Sequence, residues 1–298
     1  MTWEAAIRDF SRYLKLERGL SKNTLSAYIR DIEKLANWSV EQKIAPEGVD
    51  LEVLRKFLGD QQSLSPRSQA RLITSIKSLF RFLVYDDALK SDPTELLEAP
   101  KIGRKLPDYL TDSEIDKMIS HIDLSTDEGE RNKAILEVLY GCGLRVSELI
   151  EMRLSDLFPR DEIIRVIGKG DKERLVPIHS MAMKVLMRYI NEVRIHNEPK
   201  RGEEDIVFLS KRGKRMGRST VFTIIKQLAE KSGIKKNIGP HTFRHSFATA
   251  LVNNGADLRA VQQLLGHESI TTTEIYAHLN DNKLRAAIED HPMYNRKS

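Results

Sequence analysis

Apolar residues recur at helical spacing through the first hundred positions. Trp3, Ile7, Phe10 and Leu14 stand four, three and four apart behind an N-cap at Thr2, and they predict a first helix that Gly19 ends. Ser21 opens a second helix, with Leu25, Tyr28, Ile29, Ile32 and Leu35 facing inward. A third is predicted from Asp50 to about Leu58. Ser65-Pro66 places an N-cap before a proline at the first helical position, and a fourth helix continues through Ile73, Ile76, Leu79, Phe80 and Leu83. Four helices with short connections predict a bundle over residues 1–98.

The pattern then changes. Residues 99–107, APKIGRKLP, hold two prolines, a glycine and three basic residues without periodicity, and read as a linker. Thr111-Asp112-Ser113-Glu114 is a capping box that starts a second domain, expected over 108–298. Residues 130–140 form an apolar helix, expected to break at Gly141-Cys142-Gly143 and followed by Leu144-Arg145-Val146-Ser147-Glu148-Leu149. Residues 162–178 alternate on either side of Gly168-Lys169-Gly170-Asp171, which predicts a hairpin with Lys169 at its tip. Val207-Phe208-Leu209 suggests a short third strand. Gly239-Pro240 starts a helix on which His241 and Arg244, three apart, share a face; Ser246, Phe247 and Leu251 continue it to about Asn254-Gly255. Gly266 ends the next helix before His267, and Tyr276 follows nine residues later. His278 to Ile288 reads as a short amphipathic helix that Asp290-His291-Pro292 ends. The fold class expected is mainly α with a small β-sheet.

Composition adds compartment and partner. The chain has 298 residues, enough for two domains that each bury a core. Its formal charge is +5 and its pI about 9.1. Residues 1–100 hold 15 basic and 15 acidic residues, so the whole excess lies in the second part. Between 200 and 244 there are 12 basic against 4 acidic residues, centred on KRGKRMGR at 211–218. A charge run is usually a solvated face. Beside the reactive stretch, Arg212, Lys214 and Arg215 instead suggest contact with a DNA backbone. Arg67, Arg71, Lys77 and Arg81 can line one side of the fourth helix. The single Cys142 excludes an internal disulfide framework, and no membrane-length apolar run or signal peptide is read, so a cytosolic protein is expected.

His241, Arg244, His267 and Tyr276 combine two imidazoles and a guanidinium, which can bind and protonate a phosphate, with a phenol that can attack one. Each residue alone has a blander reading, since a lone histidine is commonly a core or surface residue and a lone tyrosine commonly packs. The ordered set is the specific signal. No Asp/Glu cluster accompanies it, and there is no Cys/His metal spacing or phosphate-cradling glycine loop, so neither a metal nor a nucleotide cofactor is expected.

The set resembles the C-terminal signature of the tyrosine recombinases: His241-Thr242-Phe243-Arg244, Gly266-His267 and Tyr276. Gly143-Leu144-Arg145-Val146-Ser147-Glu148-Leu149 is similar to the motif that carries the family's first catalytic arginine. Gly168-Lys169-Gly170-Asp171-Lys172-Glu173-Arg174 is similar to the hairpin turn of its catalytic lysine, with Lys172 a nearby competitor. LERGLSKNTLSAYIRDI and SPRSQARLITSIKSLFRFL resemble the SAM-like core-binding domain. The resemblance implies catalytic roles for Arg145, Lys169, His241, Arg244, His267 and Tyr276. In it the tyrosine becomes 3′-phosphotyrosyl, Arg145, Arg244 and His267 neutralise the pentavalent phosphate, Lys169 protonates the leaving 5′ oxygen, and His241 accepts or positions a proton.

Within the family the chain is most similar to the Xer-type chromosome-dimer resolvases. A core-binding domain beginning at residue 1 leaves no room for an extra arm-binding domain. The resemblance implies a double-stranded recombination site as substrate, a tetramer on synapsed DNA, a paralogous recombinase and a septal FtsK-type translocase as candidate partners, and no membrane. It implies a C-terminal helix exchanged between protomers. An integrase of a phage, integron or transposon is the alternative. A type IB topoisomerase shares the chemistry but not the compact amino domain. A non-catalytic DNA-binding module would explain charge and helices but not Tyr276 with five matched partners.

Overall fold

The computed structural model describes residues 1–100, 108–168 and 173–266. The chain divides into two compact units, Met1–Lys105 and Leu106–Ser298.

The first unit is four helices: α1 (Trp3–Leu16), α2 (Lys22–Glu41), α3 (Leu51–Asp60) and α4 (Pro66–Tyr85). Each begins at a side-chain cap, Thr2, Ser21, Asp50 and Ser65, that accepts a bond from the first-turn backbone. Such caps contribute about 1 kcal/mol each. Phe10, Leu14, Ile32, Leu35, Leu54, Phe57, Ile76 and Phe80 fill the core. One charge is buried there. Asp31 accepts from Arg71 Nη2 at 3.0 Å and from Ser75 Oγ at 3.1 Å, so α2 and α4 are tied by a paired carboxylate.

The second unit surrounds α6 (Asp127–Cys142), whose residues from Ala134 to Cys142 are buried throughout. α5 (Asp112–Ser120) starts at the capping box, with Thr111 and Glu114 each bonding the other's backbone. After α6 come α7 (Val146–Ile150), strands β1 (Leu157–Phe158), β2 (Ile163–Ile167) and β3 (Glu173–Pro177), then α8 (Ser180–Arg188), α9 (Arg218–Lys231), α10 (Pro240–Asn253) and α11 (Leu258–Leu265). The sheet is antiparallel in the order β1-β2-β3, with Val166 opposite Arg174 and Ile164 opposite Val176.

Two expectations need correction. The third strand is Leu157–Phe158, not Val207–Leu209. All three residues of the latter run are buried, and it is held by single bonds, Val207 N to Met152 O at 2.9 Å and Met216 N to Phe208 O at 3.2 Å. Isolated bridges at Arg153–Ile206 and Leu209–Arg215, and the Arg131 and Tyr189 side chains donating to Leu209 O and Val207 O, pair this run piecemeal in place of a ladder. The helix break also falls later than expected: Gly141 and Cys142 remain in α6, and Gly143 ends it in the left-handed region at φ 58°. A Cβ at Gly143 would lie 2.4 Å from the Phe247 ring, so the residue is fixed both by its backbone and by the approach of α10.

Candidate active site

Gly143 delivers Arg145 to the N-cap of α7. Glu148, three residues on and 3% exposed, grips it twice: the carboxylate accepts from Arg145 N at 2.8 Å and from Arg145 Nη1 at 2.8 Å. Its remaining capacity is filled by Arg174, whose Nη1 and Nη2 donate at 2.9 and 2.9 Å. One carboxylate thus orients two guanidinium groups by charge-assisted bonds. Burial raises the Glu148 carboxyl, but Arg174's hydrogen bonds and charge, with Arg145's contacts, outweigh it and leave the group below the usual glutamate value.

Arg244 arrives from α10 and is 8% exposed. Its Nη1 donates to Gly143 O at 2.9 Å, and its Nη2 donates to Leu265 O. Burial, then the charge of Arg145, then that of Arg174, pull its pKa down to about 10, with Glu148 acting in opposition. Three arginines therefore converge around one carboxylate. The cluster carries net positive charge before any ligand arrives, which prepares a site for an anion.

His241 stands exposed in the first turn of α10, while Arg244 one turn later points inward. The start of this helix is braced from below. Ser246 Oγ donates to Thr242 O at 2.8 Å and accepts from Leu110 N at 2.7 Å. The expected hairpin is present, but Lys169 lies outside the described residues, as do His267, Tyr276 and the expected helix from His278 to Ile288.

The basic residues separate. Lys211, Arg212 and Lys214 line a groove of about 840 Å³ with Asp127, Glu128 and Arg131, at the N-terminal end of α6. Gly143 and Arg145 lie at the opposite end of that helix, roughly 24 Å away for 16 residues. For Lys211, Arg212 and Lys214, nearness to the arginine stretch in sequence is therefore not adjacency in space. Arg215 is held by Glu203 at 2.9 Å and by Glu151, and Lys211 pairs with Glu128 at 2.5 Å. On α4, Arg71 is committed to Asp31, Arg81 lies 3.9 Å from Asp92, Arg67 is exposed and Lys77 half-buried.

Charge counting passed over a face of α9. Ser219, Phe222, Thr223 and Lys226 are exposed at i, i+3, i+4 and i+7, opposite buried Val221, Ile224, Ile225 and Leu228. Phe222 is 45% exposed, yet its ring backs onto Gly239, where a Cβ would be 2.8 Å from it. The face thus adjoins the start of α10 and His241. The i, i+3, i+4, i+7 spacing was the signal available in the sequence.

Comparison with known proteins gives the family. The phage integrase family model matches residues 108–283, and the phage integrase N-terminal SAM-like domain matches residues 7–86. The chain belongs to the phage integrase family and is a tyrosine site-specific recombinase. It is 41% identical over 283 residues to tyrosine recombinase XerD of Listeria monocytogenes, covering 94% of this chain and 95% of that one. It is 40% identical over 285 residues to XerD of Staphylococcus aureus, covering 95% and 96%. Among solved structures, the Tn1549 transposon integrase in complex with a circular intermediate DNA aligns with a TM-score of 0.71 at 21% identity, over 97% of this chain and 99% of that one. XerH bound to a palindromic difH substrate aligns at 0.70 and 22%, over 95% and 84%. At those identities the structures speak to the fold, a mostly helical protein with a SAM-like first domain and a catalytic second domain. No described helix is long and apolar enough to cross a membrane.

Proposed function

We propose that this chain cuts and rejoins duplex DNA at a specific site through a 3′-phosphotyrosyl intermediate on Tyr276. The phenolate oxygen attacks the scissile phosphorus, the bond to the 5′ oxygen breaks, and Lys169 supplies the proton that this oxygen needs. Arg145, Arg244 and His267 neutralise the pentavalent phosphate, and His241 accepts or positions the phenolic proton. The free 5′-hydroxyl of a partner strand then attacks the phosphotyrosine and releases Tyr276, so bond energy is conserved. The observation that carries the reading is the convergence of Arg145 and Arg244, far apart in the chain, on one cationic cluster around buried Glu148.

Two successive strand exchanges pass through a Holliday junction in a tetramer of this or a paralogous recombinase, with the segment after Tyr276 exchanged between protomers. Resolution of chromosome dimers at cell division, in the cytoplasm and with a septal FtsK-type translocase, is supported by 41% identity to a XerD over nearly the whole chain. DNA is held by the exposed face of α9, by Arg212 and Lys214, and by Arg67, Lys77 and Arg81 on the first unit, with Arg71 and Arg215 contributing little because carboxylates already hold them. The test is Tyr276→Phe on a nicked suicide substrate. Binding stays normal and no covalent adduct forms. A persistent adduct in this variant would remove Tyr276 from the role.

A further inference from the structure

Strand β3 carries an anomaly. Arg174 lies on the same face as buried Val176 and opposite Val166, a core-facing position for which an apolar side chain is the default. A guanidinium there is costly unless fully paired. Arg174 is 11% exposed and its nitrogens are committed. Nη1 and Nη2 fork onto Glu148, and Nε donates to Leu264 O at 3.2 Å. The same group lies under Gly266: a Cβ at that position would be 3.3 Å from Cδ, Nε and Nη1 of Arg174. Gly266 is in the left-handed region at φ 65°, and so is doubly required where α11 ends.

One planar group therefore joins β3, the start of α7 and the end of α11. The Glu148 oxygens that it holds are those that grip Arg145. Its neighbour in the cluster, Arg244, takes the next carbonyl along, Leu265 O. We propose that Arg174 is a positioning residue for strand cleavage: through Glu148 it sets the Arg145 guanidinium, while its bond to Leu264 O fixes its own fork, without itself touching DNA. The proposal rests on Arg145 acting on the scissile phosphate. A lysine could supply the charge but not two parallel bonds to one carboxylate and a third to a carbonyl, because its ammonium is a single point.

The test is a double-mutant cycle on the full chain. Single-turnover cleavage of a suicide substrate, at saturating DNA, is measured for the wild type, Arg174→Lys, Arg145→Ala and the double variant, alongside DNA affinity and Tm. Arg174→Lys should bind within about 2-fold of wild type and cleave at least about 10-fold more slowly, about 1.4 kcal/mol. In the Arg145→Ala background the same replacement should change the rate by less than about 2-fold, because its route to the phosphate is gone. If Arg174→Lys fails to fold, Arg174→Gln, which leaves Glu148 paired with Arg145, takes its place in the cycle. Equal slowing in both backgrounds would overturn the proposal and leave the role of Arg145 standing. Full-rate cleavage by Arg145→Ala would overturn that role, and the proposal with it. A loss of DNA affinity as large as the loss of rate would make Arg174 a grip or folding residue and also overturn the proposal.

Discussion

Glu148→Ala should separate stability from chemistry in the second unit. The carboxylate is 3% exposed and accepts four bonds, at 2.8, 2.8, 2.9 and 2.9 Å, which fill its lone-pair sites. Removing it leaves Arg174, 11% exposed, with two stranded nitrogens, and leaves three arginines with no carboxylate among them. Breaking a buried pair from one side costs about 3 to 5 kcal/mol. For a unit of this size that lowers Tm by roughly 6 to 20 °C. Arg145→Ala removes the opposite partner at a different cost. Arg145 is 33% exposed, the backbone N–H to Glu148 survives the change, and Arg174 continues to neutralise the carboxylate. Its stability cost should be about 1 kcal/mol, whereas its cleavage cost should be on the order of 3 kcal/mol, as for a lost oxyanion donor. Urea melts followed by far-UV circular dichroism, with single-turnover cleavage on the same preparations, read both quantities. If Arg145→Ala destabilises as much as Glu148→Ala, or if Glu148→Ala costs less than about 1 kcal/mol, the carboxylate is not the shared anchor.

Two further predictions concern pH and salt. Glu148 lies below its ordinary pKa in the folded state, because Arg174 and Arg145 outweigh the opposing effect of burial. Its ionised form therefore contributes stability that is complete above the ordinary value of about 4.3 and lost as pH falls through it toward the folded value. The urea midpoint of the wild type should drop more steeply than that of Glu148→Gln between about pH 5 and pH 3, and parallel curves would refute the pairing. DNA affinity should fall with salt at about 0.9 log units per neutralised phosphate. Arg212→Ala with Lys214→Ala should flatten that slope by up to about 1.8. Arg215→Ala should leave it unchanged, since Glu151 and Glu203 already hold that charge. An unchanged slope in the double variant would make the groove a solvated face.

Local chemistry made most of the fold readable in advance. Caps at Thr2, Ser21, Asp50 and Ser65 and the capping box at Thr111 are decided within four residues, and each helix begins where its cap stands. The hairpin of β2 and β3 was legible for the same reason. What failed depended on distant partners. Val207–Leu209 has strand composition, but its backbone is paired piecemeal by Met152 and Met216 backbone and by the Tyr189 and Arg131 side chains. The basic run at 211–218 belongs to the same charge-rich stretch as Arg244 in sequence, and a helix-length separates part of it from the arginine cluster in space. Charge counts cannot tell a free cation from Arg71 on Asp31 or Arg215 on Glu203, because the carboxylate that decides the matter comes from another element.

The site divides along the same line. Arg145 and Arg244 were recognisable by motif, but what holds them was not. The motif gave Glu148 no role of its own, and it is the buried hub of two arginines. Arg174 belonged to a motif whose attention went to its lysines. Its position was nonetheless informative: in Arg174-Leu175-Val176-Pro177-Ile178, the arginine falls in step with Val176 and Ile178, both buried. A charge in phase with the apolar face of a strand requires a buried counter-charge, and the three glutamates nearest the cluster in sequence are Glu148, Glu151 and Glu173. Of these, Glu148 alone sits at the third position of a helix whose N-cap is the motif arginine, where a carboxylate turns back toward the cap. Phase on the strand and position on the helix together single out the pair. A cationic site assembled on such a carboxylate can hold arginines close enough to meet one phosphate, because the repulsion among them is offset before DNA binds.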